Sequence, residues 1–170
     1  MKQIEGIPNN INETIIGIVV KNKYAYLTKK NCILVTDKPI KSNRYSAVIT
    51  NQTIDSSITS VVVSNINDFN IDDIVTIDSK GQINIVHEAN SKHNALFVTG
   101  KCNSNCIMCP QPPIKKEADR HNINLKHISL LPKDTISLGI TGGEPTLAGK
   151  KLFEIIELVN KKLPHTWHRP

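Results

Sequence analysis

The stretch 102–109 reads Cys-Asn-Ser-Asn-Cys-Ile-Met-Cys, so three cysteines stand in a C-x3-C-x2-C spacing. Thiols this close in one loop can turn toward a common centre. Each thiolate of Cys102, Cys106 and Cys109 can take one iron of a cubic iron–sulfur cluster, as cysteines do in ferredoxins, which use four. With three, the fourth iron lacks a protein ligand, and an open metal position is what catalysis needs. Asn103, Ser104 and Asn105 suit the turns of such a loop, and Lys101 with nearby amides can offset its negative charge. The same thiols with His121 or His127 would suit a zinc site of three cysteines and one histidine. Zinc sites more often come as two paired knuckles, and no second pair is present. Cysteines without any ligand are a third reading. Cys32 stands apart in the apolar run 31–35 and reads as a buried, inert thiol.

A second motif follows at Gly142-Gly143-Glu144-Pro145. Two glycines let backbone approach a ligand closely. Glu144 offers a carboxylate to an ammonium group, and Pro145 pre-sets a helix start. A tight strand-to-helix turn with no ligand would use the same residues.

Both motifs need a frame. Residues 95–99 form a compact apolar strand that runs into Gly100 and the cysteine loop. Residues 115–131 are charged at first and then carry Ile123, Leu125, Ile128, Leu130 and Leu131, a weak helix that Pro132 ends. Residues 135–141 read as a second strand leading into the glycine turn. Leu152, Ile155, Ile156, Val159 and Leu163 then recur at helical spacing. Thr146 is placed to cap that helix, Lys161 and Lys162 suit its C-terminus, and Pro164 stops it. Strand, loop, helix, repeated, is the start of a parallel α/β sheet, in which sites lie at the carboxyl ends of strands. Both motifs fall there.

The first half differs. Runs at 15–20, 24–28, 32–36, 45–50 and 58–63 are short and rich in β-branched residues, and 74–86 is a hairpin with Gly81 at its turn. This predicts a small β-rich domain over residues 1–93, a barrel or sandwich, before an α/β region at 94–170.

The chain of 170 residues carries a net charge of +6. Residues 1–93 hold ten Lys/Arg against nine Asp/Glu, and residues 94–170 hold eleven against six, so the positive excess lies with the cysteines. Few aromatics accompany it, which argues against nucleic-acid binding through base stacking. No apolar run spans a bilayer and no signal pattern opens the chain, so a cytoplasmic protein without a membrane partner is expected. A tight cysteine cluster in a reducing compartment is more often metal-binding or catalytic than a disulfide scaffold.

Taken together, the cysteine spacing after one strand and Gly-Gly-Glu-Pro after the next resemble the radical S-adenosylmethionine (SAM) superfamily. The resemblance implies a partial barrel of six βα units and a 4Fe–4S cluster on Cys102, Cys106 and Cys109. It implies S-adenosyl-L-methionine chelated to the open iron, with its amino group at Gly142, Gly143, Glu144 and Pro145. One electron would cleave SAM to methionine and a 5′-deoxyadenosyl radical that abstracts hydrogen from a substrate. Many members carry an aromatic near the adenine just before the last cysteine, where this chain has Met108. The stretches 96–113 and 138–164, with Cys109-Pro110-Gln111-Pro112-Pro113 at the core, look more narrowly like the C-type maturase of the His-Xaa-Ser system. That implies a precursor polypeptide with His-Xaa-Ser repeats, a second radical SAM maturase as partner, and an electron donor such as flavodoxin or ferredoxin. The β-rich leader could add a peptide to a strand edge, or serve as a scaffold.

Only two βα units are expected, because the last residues, His165-Thr166-Trp167-His168-Arg169-Pro170, suggest neither a strand nor a cap. On that reading the chain is truncated after the second unit. A non-catalytic iron–sulfur or zinc-binding module, a radical SAM enzyme of another subfamily, and a non-functional remnant are the competing readings.

Overall fold

The computed structural model describes residues 2–21, 30–40, 44–104, 106–109, 119–164 and 167–169. The strand expected at 24–28 lies outside these residues, as do Asn105 and the segment 110–118. The chain divides into two compact units, Met1–Asn90 and Ser91–Pro170.

The first unit is a single eight-stranded sheet. Its strands are β1 (Lys2–Glu5), β2 (Ile7–Asn9), β3 (Ile15–Val20), β4 (Cys32–Val35), β5 (Ala47–Thr50), β6 (Ser60–Val62), β7 (Ile74–Ile77) and β8 (Gln82–His87). They lie in the order β1-β8-β7-β3-β4-β5-β6-β2. The run β3 to β6 is parallel, and the pairs outside it are antiparallel. Period-two alternation explains the core. Val19, Ile33, Val35, Ala47, Ile49, Val61, Val75, Ile77, Ile83 and Ile85 point to one face and pack around the fully buried Phe69. On β4 the intervening Cys32 and Leu34 pack with Val20 in a second cluster, so this parallel strand is buried on both faces, as parallel strands usually are.

The two strands at the ends of that order are consecutive in sequence, separated by Gly6 alone. The Gly6 amide donates to the Gly81 carbonyl at 3.0 Å. A Cβ at Gly6 would sit 2.7 Å from Val61 and from the Val62 carbonyl. The pairing order therefore returns on itself through one glycine that touches both neighbours. Gly81 takes φ +82, and a Cβ there would lie 2.2 Å from the Gly6 carbonyl, so this turn requires glycine. The buried Asp73 carboxylate accepts from the amides of Asn70 at 2.8 Å and Ala89 at 2.9 Å.

The second unit runs β9 (Asn94–Phe97), α1 (His121–Leu130), β10 (Ser137–Thr141), α2 (Lys150–Lys162) and β11 (Trp167–Arg169). The three strands form one parallel sheet with β10 in the centre. The end of the chain corrects the sequence reading. Trp167–Arg169 is a strand after all, paired in register Ser137↔Trp167 through Gly139↔Arg169. Three residues among prolines carry little strand signal of their own, and partnership with β10 supplies it. Thr146 is corrected too. It caps no helix; a short 3-10 turn, Pro145–Ala148, comes first and α2 starts only after Gly149. Ile128, Ile155 and Val159 on the helices are buried, as are Leu96 and Leu138 on the strands, and α1 lies against α2. No described helix is long and apolar enough to cross a membrane.

Candidate functional site

The site begins where β9 and β10 end side by side. Their last register pair is Thr141↔Phe97. Hydrogen bonding continues beyond it: Val98 N donates to Thr141 O at 2.8 Å, Gly143 N to Thr99 O at 2.7 Å, and Glu144 N to Lys101 O at 2.8 Å. The cysteine loop and the glycine turn are thus zipped together from their first residues. Thr99 anchors the join. It is buried, and its Oγ1 accepts from the Lys101 amide at 3.1 Å.

The close approach is made possible by Gly143. A Cβ there would stand 2.3 Å from the Lys101 carbonyl oxygen and 2.9 Å from the Cys102 Cβ. Any other residue would push the turn off the first cysteine. The Cys102 sulfur is half-buried and accepts from the Ser104 amide at 3.4 Å. Cys106 and Cys109 are exposed. The Cys109 amide donates to the Cys106 carbonyl at 3.2 Å, closing a turn whose outer residues, Ile107 and Met108, are 100% and 92% exposed. All three thiols are free of disulfides. Cys32 belongs to the other unit, where burial pushes its thiol up, in keeping with an inert role.

Glu144 closes the far side. Its Oε1 accepts from the Thr146 hydroxyl at 2.7 Å and from the Thr146 amide at 3.1 Å. These bonds hold its carboxyl below the usual glutamate value. Oε2 has no partner among the described residues. Pro145 opens the short helix that follows. Beside the turn lies a cavity of about 500 Å³, bounded by Ile140, Gly142 to Thr146 and the α2 residues Leu152 and Ile156.

The structure thus brings Gly143 against the first cysteine, with Gly142 against Thr99, the Glu144 amide on the Lys101 carbonyl and Pro145 next in the turn. It does not gather all three thiols: among the described residues no three His, Cys, Asp or Glu side chains form a metal-holding group. The donor set nonetheless suits a cluster held by three thiolates. Two thiols are exposed and one half-buried in a single loop, beside backbone that only glycine permits. The histidines suggested for zinc are placed elsewhere. His121 Nε2 lies 2.8 Å from Glu154 Oε2 on α2, and His127 is buried in α1. Sequence reasoning did not single out Thr99 as the anchor, and nothing local in the sequence marks it.

Comparison of the chain with protein-family models, with curated proteins and with solved structures gives no match.

Proposed function

We propose that this chain carries the cluster- and SAM-binding part of a radical SAM enzyme that modifies a polypeptide. The observation that supports the reading is the junction of Gly143 with Lys101 and Cys102. It puts a three-cysteine loop and a Gly-Gly-Glu-Pro turn together at the carboxyl ends of adjacent parallel strands, where α/β sheets place their ligands.

In this reading Cys102, Cys106 and Cys109 hold three irons of a 4Fe–4S cluster. When bound, the cluster supplies the electron for reductive cleavage of S-adenosyl-L-methionine. The chain's own residues bind and orient. Gly142 and Gly143 let the turn lie directly on the Thr99 and Lys101 carbonyls, which brings it beside the cysteine loop. Glu144 presents the Oε2 of an ionised carboxylate, unpartnered among the described residues, to an ammonium group, with Oε1 fixed by Thr146. Met108, at the tip of the loop, offers a flexible thioether to an adenine ring. The narrower assignment, a C-type maturase of the His-Xaa-Ser system with a precursor polypeptide, a second maturase and a flavodoxin or ferredoxin donor, rests on the resemblance of 96–113 and 138–164.

The test is anaerobic reconstitution with iron and sulfide, followed by EPR of the reduced protein with and without SAM. About four irons per chain and a signal that shifts on adding SAM are expected from a cluster with one open iron. Zinc in place of iron, or a cluster whose signal ignores SAM, would replace this reading with that of a non-catalytic metal-binding module.

A further inference from the structure

A second cavity in the same unit, of about 310 Å³, lies behind the cysteine loop, between the end of β9 and the first turns of α1 and α2. Its polar wall is basic. Lys101, Arg120, His121 and Lys151 line it, with Asp119 as the one carboxylate among the described lining residues. Lys151 Nζ is paired with Asp119 at 2.6 Å, and His121 Nε2 with Glu154 at 2.8 Å. Two nitrogens remain unmatched. Arg120 Nε and His121 Nδ1 are buried and have no hydrogen-bond partner among the described residues. The Arg120 guanidinium is held 5.3 Å from the Phe97 ring centroid, and the backbone behind that ring is tied to Asn124 by a 3.1 Å bond. At the start of α1 the His121 amide donates to Asp119 Oδ1 at 3.0 Å, and the positive end of the helix dipole lies at the same space. Val98, Leu147 and Ile155 form an apolar floor.

We propose that this cavity binds a phosphate monoester, independently of the cluster site. Burying an arginine N–H without a partner is costly, and an oxyanion would satisfy it. With Lys151 paired to Asp119 and His121 to Glu154, Lys101 and Arg120 are the two lining cations left without a carboxylate among the described residues. Their charges match the charge of about −1.5 to −2 of a phosphate monoester near neutral pH. The volume admits more than a bare anion, and the apolar floor suits the organic part of an ester. Guanidinium and ammonium groups are the usual side-chain partners of phosphate.

The test uses the full chain at constant ionic strength, titrated with inorganic phosphate, phenyl phosphate or acetate. Calorimetry and the NMR resonance of the Arg120 Nε–H are the readouts. Saturable binding is expected, with phenyl phosphate tighter than inorganic phosphate and both tighter than acetate. Arg120→Gln and Lys101→Gln should each weaken it about tenfold, the worth of one charge-assisted hydrogen bond. Lys150→Gln removes the same charge just outside the cavity and should leave it unchanged. If Arg120→Gln fails to fold, Lys101→Gln, at an exposed position, carries the comparison. Equal, unsaturable responses to phosphate and acetate, or full binding by the Lys101 variant, would overturn the proposal.

Discussion

The Gly143 amide meets the Thr99 carbonyl at 2.7 Å, and together with the Glu144 amide on the Lys101 carbonyl this bond fixes where the glycine turn stands relative to the cysteine loop. It extends the ladder between β9 and β10 past their last paired residues, Phe97 and Thr141. Loops that share backbone bonds move together, so the position of Cys102 depends on the turn that follows the neighbouring strand.

Gly143→Ala should therefore disturb both loops at once. Its methyl would fall 2.3 Å from the Lys101 carbonyl and 2.9 Å from the Cys102 Cβ. Urea unfolding, followed by the fluorescence of the one tryptophan, Trp167, should show a loss of about 1–3 kcal/mol, typical of overpacking. Parent-like stability would mean that the two loops are not interlocked as described.

Each of Cys102→Ser, Cys106→Ser and Cys109→Ser should lose most of the iron taken up on anaerobic reconstitution, because an alcohol is a poor replacement for a thiolate. Cys32→Ser should load fully, since that thiol is buried in the other unit. Iron retained in all three loop variants would remove the cluster from the loop.

Glu144 provides a pH prediction. Its carboxyl is held below the ordinary value by the Thr146 hydroxyl first and the Thr146 amide second. A depressed carboxyl stabilises the fold above the unfolded value of about 4.3 and loses that contribution as the pH falls through the folded value. Thr146→Val removes the hydroxyl and should move the Glu144 midpoint upward, toward the ordinary value. A carbon-13 titration of the side-chain carboxyl reads this directly, and an unchanged midpoint would assign the depression to some other group.

In the first unit, Gly81→Ala meets two obstacles: φ of +82 and a 2.2 Å approach to the Gly6 carbonyl. A cost of about 1–3 kcal/mol is expected from strain of this kind. Amide exchange should quicken in both β1 and β2 in the Gly81→Ala protein, because Gly6 links them. Faster exchange in β1 alone would show that the two ladders open separately.

The candidate site was legible in the sequence where side-chain chemistry would define it, and hidden where backbone does. Cysteine spacing and Gly-Gly-Glu-Pro announce themselves by residue type. Thr99 does not, since what it contributes is a carbonyl that any residue possesses. Arg120, Asn124 and Lys151 are likewise ordinary polar residues until the start of α1 faces that of α2. In the fold, the hairpin along 74–86 was readable because β-branched residues fill β7, which is buried on both faces, and alternate on β8, whose faces meet different environments. The strand at Trp167–Arg169 was not, because its pairing is decided by β10, some thirty residues earlier in the chain. Helix α2 was visible from its apolar spacing, whereas its start was misplaced because Thr146 uses its hydroxyl on Glu144.

Residues 2–9 pair with β8 on one side of Gly6 and with β6 on the other. This segment thus waits for partners some fifty to eighty residues downstream. It acts as a seam that can be sewn only after the rest of the unit is made. Until then two rows of unpaired backbone stand open, and contacts this distant in sequence form slowly. A tag or fusion that restrains Lys2–Asn9 would leave both rows bare together, and self-association of the nascent chain is the outcome to expect.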